Sequence, residues 1–219
     1  MDTSPEPPEL KRTGGKWLDL MLALSAIFVS MCSLWLAYNS SNSMERLVQA
    51  NSMPFIQLES GNATDDGEPG VLGFAARNAG TGPARVHSFA YIVDGQVVPR
   101  PGYVTVNILR ACCGAELDAA IAAADGDVLA AIDADLTSPV ANTFFAAGDE
   151  VTAWSWRRTP VNATLWNAVD QARQAGRIGM RACYCSLFDD CWIAETGTFP
   201  PRPVNQCTPP AQQSPAPSP

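Results

Sequence analysis

Near its beginning the chain changes abruptly from polar to apolar. Residues 2–15 are polar and proline-rich, whereas Trp17 to Tyr38 reads WLDLMLALSAIFVSMCSLWLAY, with Asp19 its only charge. About 20 residues at a rise of 1.5 Å each cross a hydrocarbon core. The pattern therefore predicts a transmembrane helix over 17–38. Trp17 at one end and Trp35 and Tyr38 at the other sit where interfacial aromatics belong. Met44, Leu47 and Val48 then fall on one helical face, so helix continues into a juxtamembrane segment, 39–53. Pro54 ends it, because the residue before a proline is pushed out of the α region.

Beyond Pro54 the period drops from 3.6 to 2. Phe55–Glu59, Val71–Asn78 and Ala84–Val93 read as strands. A polar turn containing Asp65-Asp66-Gly67 separates the first two. Asp94-Gly95 is a two-residue hairpin signal leading into Gln96-Val97-Val98. Residues 103–109 read as a further strand. The alanine-rich stretch 111–147 predicts a short helix from Glu116 to Ala124, stopped at Asp125-Gly126. Val128–Leu136 fits helix and strand equally. Glu150–Trp156 is a strand, and Thr159-Pro160 opens a helix ending near Ala175, with Leu165, Val169 and Ala172 on one face and Gly176 as its stop. Ile178–Leu187 and Trp192–Glu195 form a last hairpin. Residues 197–219 are proline-rich and predict an extended or disordered tail.

Charge orients this layout. Lys11, Arg12 and Lys16 precede the apolar run, while Glu45 and Arg46 cancel beyond it. The positive-inside rule places the N-terminus in the cytoplasm and residues 39–219 outside, in the periplasm of a cell with two membranes. A cleaved signal peptide would have a shorter apolar core ending in small residues; here the run ends Trp35-Leu36-Ala37-Tyr38, which favours an uncleaved signal-anchor. The net charge of -8 repels nucleic acid and anionic headgroups.

The segment Asn78-Ala79-Gly80-Thr81-Gly82-Pro83-Ala84, between two predicted strands, resembles the N-x-G-x-x-P-A turn of Ig-like, CARDB-like modules of bacterial surface proteins. Anchor, short helix and module together resemble single-pass membrane-anchored envelope proteins of Gram-negative bacteria. The resemblance implies a β-sandwich and a binding or scaffolding role. The cysteines and the helix near 160–175 depart from a plain module of that kind.

Of seven cysteines, Cys32 lies in the apolar run. The other six, Cys112, Cys113, Cys183, Cys185, Cys191 and Cys207, fall on the oxidising side and are disulfide candidates. Adjacent cysteines rarely bridge each other, so Cys112 and Cys113 are each expected to reach a distant partner, one of them in the C-terminal hairpin. An alternative reading gives Cys183, Cys185 and Cys191 to thiol redox chemistry or to a soft metal such as copper or zinc. A C-x-x-C pair of zinc-ribbon or thioredoxin type is absent from the sequence.

His87 is the only histidine and stands inside a predicted strand. No G-x-S-x-G, S-x-x-K, P-loop or H-E-x-x-H motif occurs. Asp65-Asp66 and Asp189-Asp190 sit in turns, where Asp is favoured for backbone hydrogen bonding. Trp154, Trp156 and Trp192 are core candidates, or else an aromatic binding strip. The expectation is therefore a mainly β, Ig-like sandwich with one or two short helices. Its domains are a cytoplasmic stub (1–16), a transmembrane helix (17–38), a juxtamembrane linker (39–53), a disulfide-bridged domain (54–196) and a tail (197–219). Its partners are the bilayer, through 17–38, and another envelope or membrane protein, with no nucleic acid. No cofactor, metal or catalytic residue is assigned.

Overall fold

A computed structural model of the protein describes residues 15–63, 69–99, 102–133 and 135–208. The predicted turn at Asp65-Asp66-Gly67, Lys11, Arg12 and the tail beyond residue 208 lie outside these. The chain divides into two units, Met1–Val48 and Gln49–Pro219.

The first unit is carried by helix α1 (Lys16–Asn51). Its apolar stretch Lys16–Val48 is 33 residues long, with none of its apolar window buried, which is long and apolar enough for a membrane span or a signal sequence. The hydroxyls of Ser25 and Ser30 donate back to the carbonyls of Leu22 (2.9 Å) and Ala26 (2.8 Å). A helix in hydrocarbon can thus carry serine without leaving a polar group unpaired.

Among its described residues the second unit is mixed α/β, with two antiparallel sheets and three helices. One sheet has the order β1 (Ile56–Ala63), β2 (Pro69–Asn78), β7 (Glu150–Arg157), β5 (Asp135–Thr137). The other runs β10 (Arg202–Val204), β9 (Cys191–Glu195), β8 (Ile178–Cys185), β3 (Ala84–Val93), β4 (Gln96–Val97), with β6 (Thr143–Phe145) also paired to β3. Aromatic rings join the facing sheets: Phe74 stacks on Trp154 at 5.2 Å, and Tyr91 meets both edge-on at 6.1 and 6.3 Å.

Two bulges set which residues enter this core. In β3 the register shifts between Val86 and Ser88. Ala84 and Val86 point inward before His87, and Phe89, Tyr91 and Val93 after it. One extra residue reverses the parity of a strand, so both halves can bury their apolar set. In β7 the register against β2 skips Ala153, which brings Trp154 and Trp156 onto the core side.

The helices are α2 (Val104–Ala123), α3 (Val128–Ile132) and α4 (Ala163–Gln174). They add to the same core through Ile108, Leu109, Leu117, Ile132, Leu165 and Val169. Here the mainly β expectation is corrected. Residues 103–109 lie in α2 and its N-terminal flank rather than in a strand. Their β-branched run Val104-Thr105-Val106 suggested a strand, but burial recurs at Thr105, Ile108, Leu109, Cys113 and Leu117, a helical spacing. Packing on the core decides over propensity. The tail also differs from expectation, since Arg202–Val204 pairs with β9.

Asn78 ties the loops together from a fully buried position. Its Oδ1 accepts from the amides of Phe55 and Gly80, both at 3.1 Å. Its Nδ2 donates to the carbonyls of Gly82 (2.8 Å), Phe145 (3.2 Å) and Ala146 (3.1 Å). The segment Ser52–Phe55 passes directly over this turn, with the amides of Ala79, Thr81 and Gly82 donating to the carbonyls of Phe55 and Met53. A Cβ on Gly80 or Gly82 would collide with the backbone of residues 52–55, which is why both are glycine. Elsewhere, Asp170 on α4 is buried but accepts from Asn62 (3.1 Å), Arg173 (2.7 Å) and Gln174 (2.7 Å), linking α4 to β1.

Candidate functional site

Chemistry-bearing residues gather at one end of the β3–β8–β9 sheet. Cys183 and Cys185 are two apart on β8, so they share a face. Cys185 stands directly opposite Cys191 on β9, with Cα atoms 4.0 Å apart, and the two are bridged. Cys183 pairs with Cys207, Cα–Cα 5.6 Å, fastening the segment after β10 to the sheet. The sulfurs of Cys185, Cys191 and Cys207 all lie within 4.8 Å of one another, and Cys185 Sγ is 3.7 Å from Cys207 Sγ. Of the predicted trio, Cys185 and Cys191 lie in this cluster, with Cys207 in the place of Cys183, which is bridged to it. Three thiolates facing one point could hold a soft cation after reduction; as bridges they cannot.

The third pair corrects the expected connectivity. Cys112 and Cys113 are bonded to each other rather than to a distant partner. Residue Cys113 leaves helical geometry (φ -146°, ψ 44°), and at that kink in α2 two neighbouring side chains can turn toward each other. Arg177 donates to the Cys112 carbonyl there (3.4 Å) and grips Asp94 with two bonds of 2.8 and 2.7 Å. This contact holds the Asp94 carboxyl below the usual range. All six cysteines beyond α1 are thus at disulfide distance, and Cys32 is free and exposed.

Between Cys185 and Cys191 the chain makes a tight turn. Ser186 Oγ accepts from the amides of Phe188 (3.1 Å) and Asp190 (3.3 Å), and Asp189 adopts φ 62°. These bonds hold Leu187 and Phe188 at 59% and 54% exposure. On β3, Arg85 lies opposite Cys185 and forms an ion pair with Asp189 in the turn. Its Nε also donates to His87 Nε2 at 3.2 Å. On the far side of Arg85 stands Phe144 of β6, 67% exposed. The site's outer surface is thus Phe144, Arg85 and His87, the partly exposed Cys207, and the Leu187-Phe188 tip, over the buried Cys183, Cys185 and Cys191.

Trp154 and Trp156 are wholly buried and form no surface strip; Trp192 is half-buried and stacked on Tyr184 at 5.8 Å. The exposed apolar residues of the tip are ones sequence reasoning missed. Their signal was two large apolar residues in a five-residue turn between cysteines, where polar residues are the rule. No family model, curated protein or solved structure matches the chain.

Proposed function

We propose that the protein is a single-pass membrane-anchored module whose extracytoplasmic, Ig-like domain binds another envelope or membrane protein and turns over no substrate. One observation carries this reading: Leu187 and Phe188 are presented to solvent on a turn closed by the Cys185–Cys191 bridge. Hydrated apolar side chains gain free energy when covered. A clamped turn has little conformational entropy left to lose on binding. Phe144 extends the same surface.

Other features support the rest of the reading. The basic residues Lys11, Arg12 and Lys16 precede the apolar run that begins at Trp17, which favours a cytoplasmic N-terminus. Six cysteines paired at bonding distance suit an oxidising compartment such as the periplasm. The orders β1-β2-β7-β5 and β9-β8-β3 support the Ig-like part of the reading, in which they take the places of the ABED and GFC sheets, with α2 and α4 as insertions.

A photo-crosslinking residue at position 188 of the full chain, in its native membrane, tests the reading. A discrete protein adduct is expected, lost when Leu187→Asp is added without change in protein level. No adduct at 188, or an adduct indifferent to Leu187→Asp, would sink it. A second reading, thiol redox or soft-metal handling, is favoured by the sulfurs gathered within 4.8 Å.

A further inference from the structure

The two bridges on β8 are near enough to react with each other. Thiol–disulfide exchange requires a thiolate in contact with a disulfide sulfur. Cys185 Sγ and Cys207 Sγ belong to different bridges and stand 3.7 Å apart. A thiolate generated at either sulfur therefore already touches its target. Arg85 lies opposite Cys185 in the β3–β8 register, its guanidinium paired with Asp189. Cys183, Cys185 and Cys191 are buried, while Cys207 is partly exposed and gives an outside thiol its point of approach.

We propose that this four-sulfur cluster is a thiol–disulfide exchange site whose substrate is a dithiol protein. The proposal rests on the second reading above, in which the domain does turn over a thiol substrate, and so stands in place of the no-turnover clause of the first; it is independent of what the hairpin tip binds. In the first step the partner's two thiols become a disulfide, and two electrons and two protons pass to one bridge of the domain. Where Cys185–Cys191 is opened, the Cys185 thiol loses its proton to water and attacks Cys207 Sγ. The Cys185–Cys207 bond forms, the Cys183–Cys207 bond breaks, and the electron pair leaves on Cys183, which takes up a proton. Where Cys183–Cys207 is opened instead, Cys207 attacks Cys185 and the pair leaves on Cys191. The second step is redox-neutral. Both routes converge on one species, bridged Cys185–Cys207 with Cys183 and Cys191 as thiols. In that species the hairpin tip is unclamped while the C-terminal segment stays fastened.

Two variants of the full chain in detergent micelles make the test. Cys191→Ser leaves the odd thiol at Cys185, and Cys183→Ser leaves it at Cys207. After oxidation, acid quench and alkylation in denaturant, peptide mapping should find the same Cys185–Cys207 bridge in most molecules of both. Besides Cys32, the alkylated residue should be Cys183 in the first and Cys191 in the second. Retention of Cys183–Cys207 with alkylated Cys185, and of Cys185–Cys191 with alkylated Cys207, would overturn the proposal. Wild-type protein treated with one equivalent of dithiothreitol gives a check that needs no variant. The fraction alkylated at Cys32 and at two of the four cluster cysteines should carry Cys185–Cys207. Finding only the two original pairings in that fraction overturns the proposal equally, whether or not the tip yields a crosslinked partner.

Discussion

Replacing Asn78 by Ala should be among the most damaging single changes in the domain. An amide side chain can donate two hydrogen bonds and accept two. Asn78 uses this capacity from a site with no solvent exposure, against five backbone groups of residues 55, 80, 82, 145 and 146. At about 1 kcal/mol net per bond, and more where a buried partner is left unpaired, the loss is about 4 kcal/mol. Set against a domain stability of about 5–15 kcal/mol, that is a large fraction. For a domain of this size it corresponds to a fall in Tm of about 8–16 °C. Urea titration followed by the fluorescence of the buried Trp154 and Trp156 measures it, with an unchanged m-value showing that the native fold persists. Asn78→Asp keeps the volume but turns a carboxylate oxygen toward three carbonyls, and at neutral pH it should be at least as harmful. A loss below about 1 kcal/mol for Asn78→Ala, at constant m, would refute the idea that this side chain holds the loops together.

Trp156 donates from Nε1 to the carbonyls of Ile132 (2.8 Å) and Asp133 (2.9 Å), whereas Nε1 of Trp154 is buried without a partner. Trp156→Phe should therefore cost about 1–3 kcal/mol more than Trp154→Phe in the same urea assay, and equal costs would refute the assignment. Burial alone would raise the pKa of Asp170, but the bonds from Arg173, Asn62 and Gln174 outweigh it and hold the carboxyl below its ordinary value. The stabilisation is present above the ordinary carboxylate pKa of about 4 and is lost as pH falls through it toward the folded value. Asp170→Asn should lower stability at pH 7 and flatten the acid limb of the stability profile; an unchanged acid limb would show that another group governs it.

Elements with a strong period and definite punctuation were legible. The apolar run of α1, the strands β2, β3 and β7, and helix α4 with its stop at Gly176 (φ 71°) lie where the residues put them. Asp94 and Gly95 have φ of 50° and 78°, the two positive angles that a tight hairpin of this type requires. What escaped depended on contacts distant in sequence. Val104-Thr105-Val106 favours a strand locally and becomes helix because Ile108 and Leu109 are drawn into the core. Residues 128–136 satisfied both periods and divide into α3 and β5. The bulges at His87 and Ala153 cannot be read from alternation, since they consist in its interruption. Within the site, the six cysteines were identifiable but their partners were not. Cys207 joins the cluster only because β10 lies against β9, and Cys112 can reach Cys113 only because α2 breaks at Cys113.

The crossing of Ser52–Phe55 over Gly80 and Gly82 has a mechanical meaning. Tension applied along the chain from residue 51 reaches this crossing before it reaches the β1–β2 ladder. The bonds from Ala79, Thr81 and Gly82 to residues 53 and 55, with the Phe55 amide held by Asn78, share that load together. β1 would otherwise be an edge strand exposed to peeling one bond at a time from its end. With the latch closed, a pull from residue 51 is borne by several bonds in parallel and is passed through Asn78 to the loop at Phe145–Ala146, so the domain resists unravelling from that end.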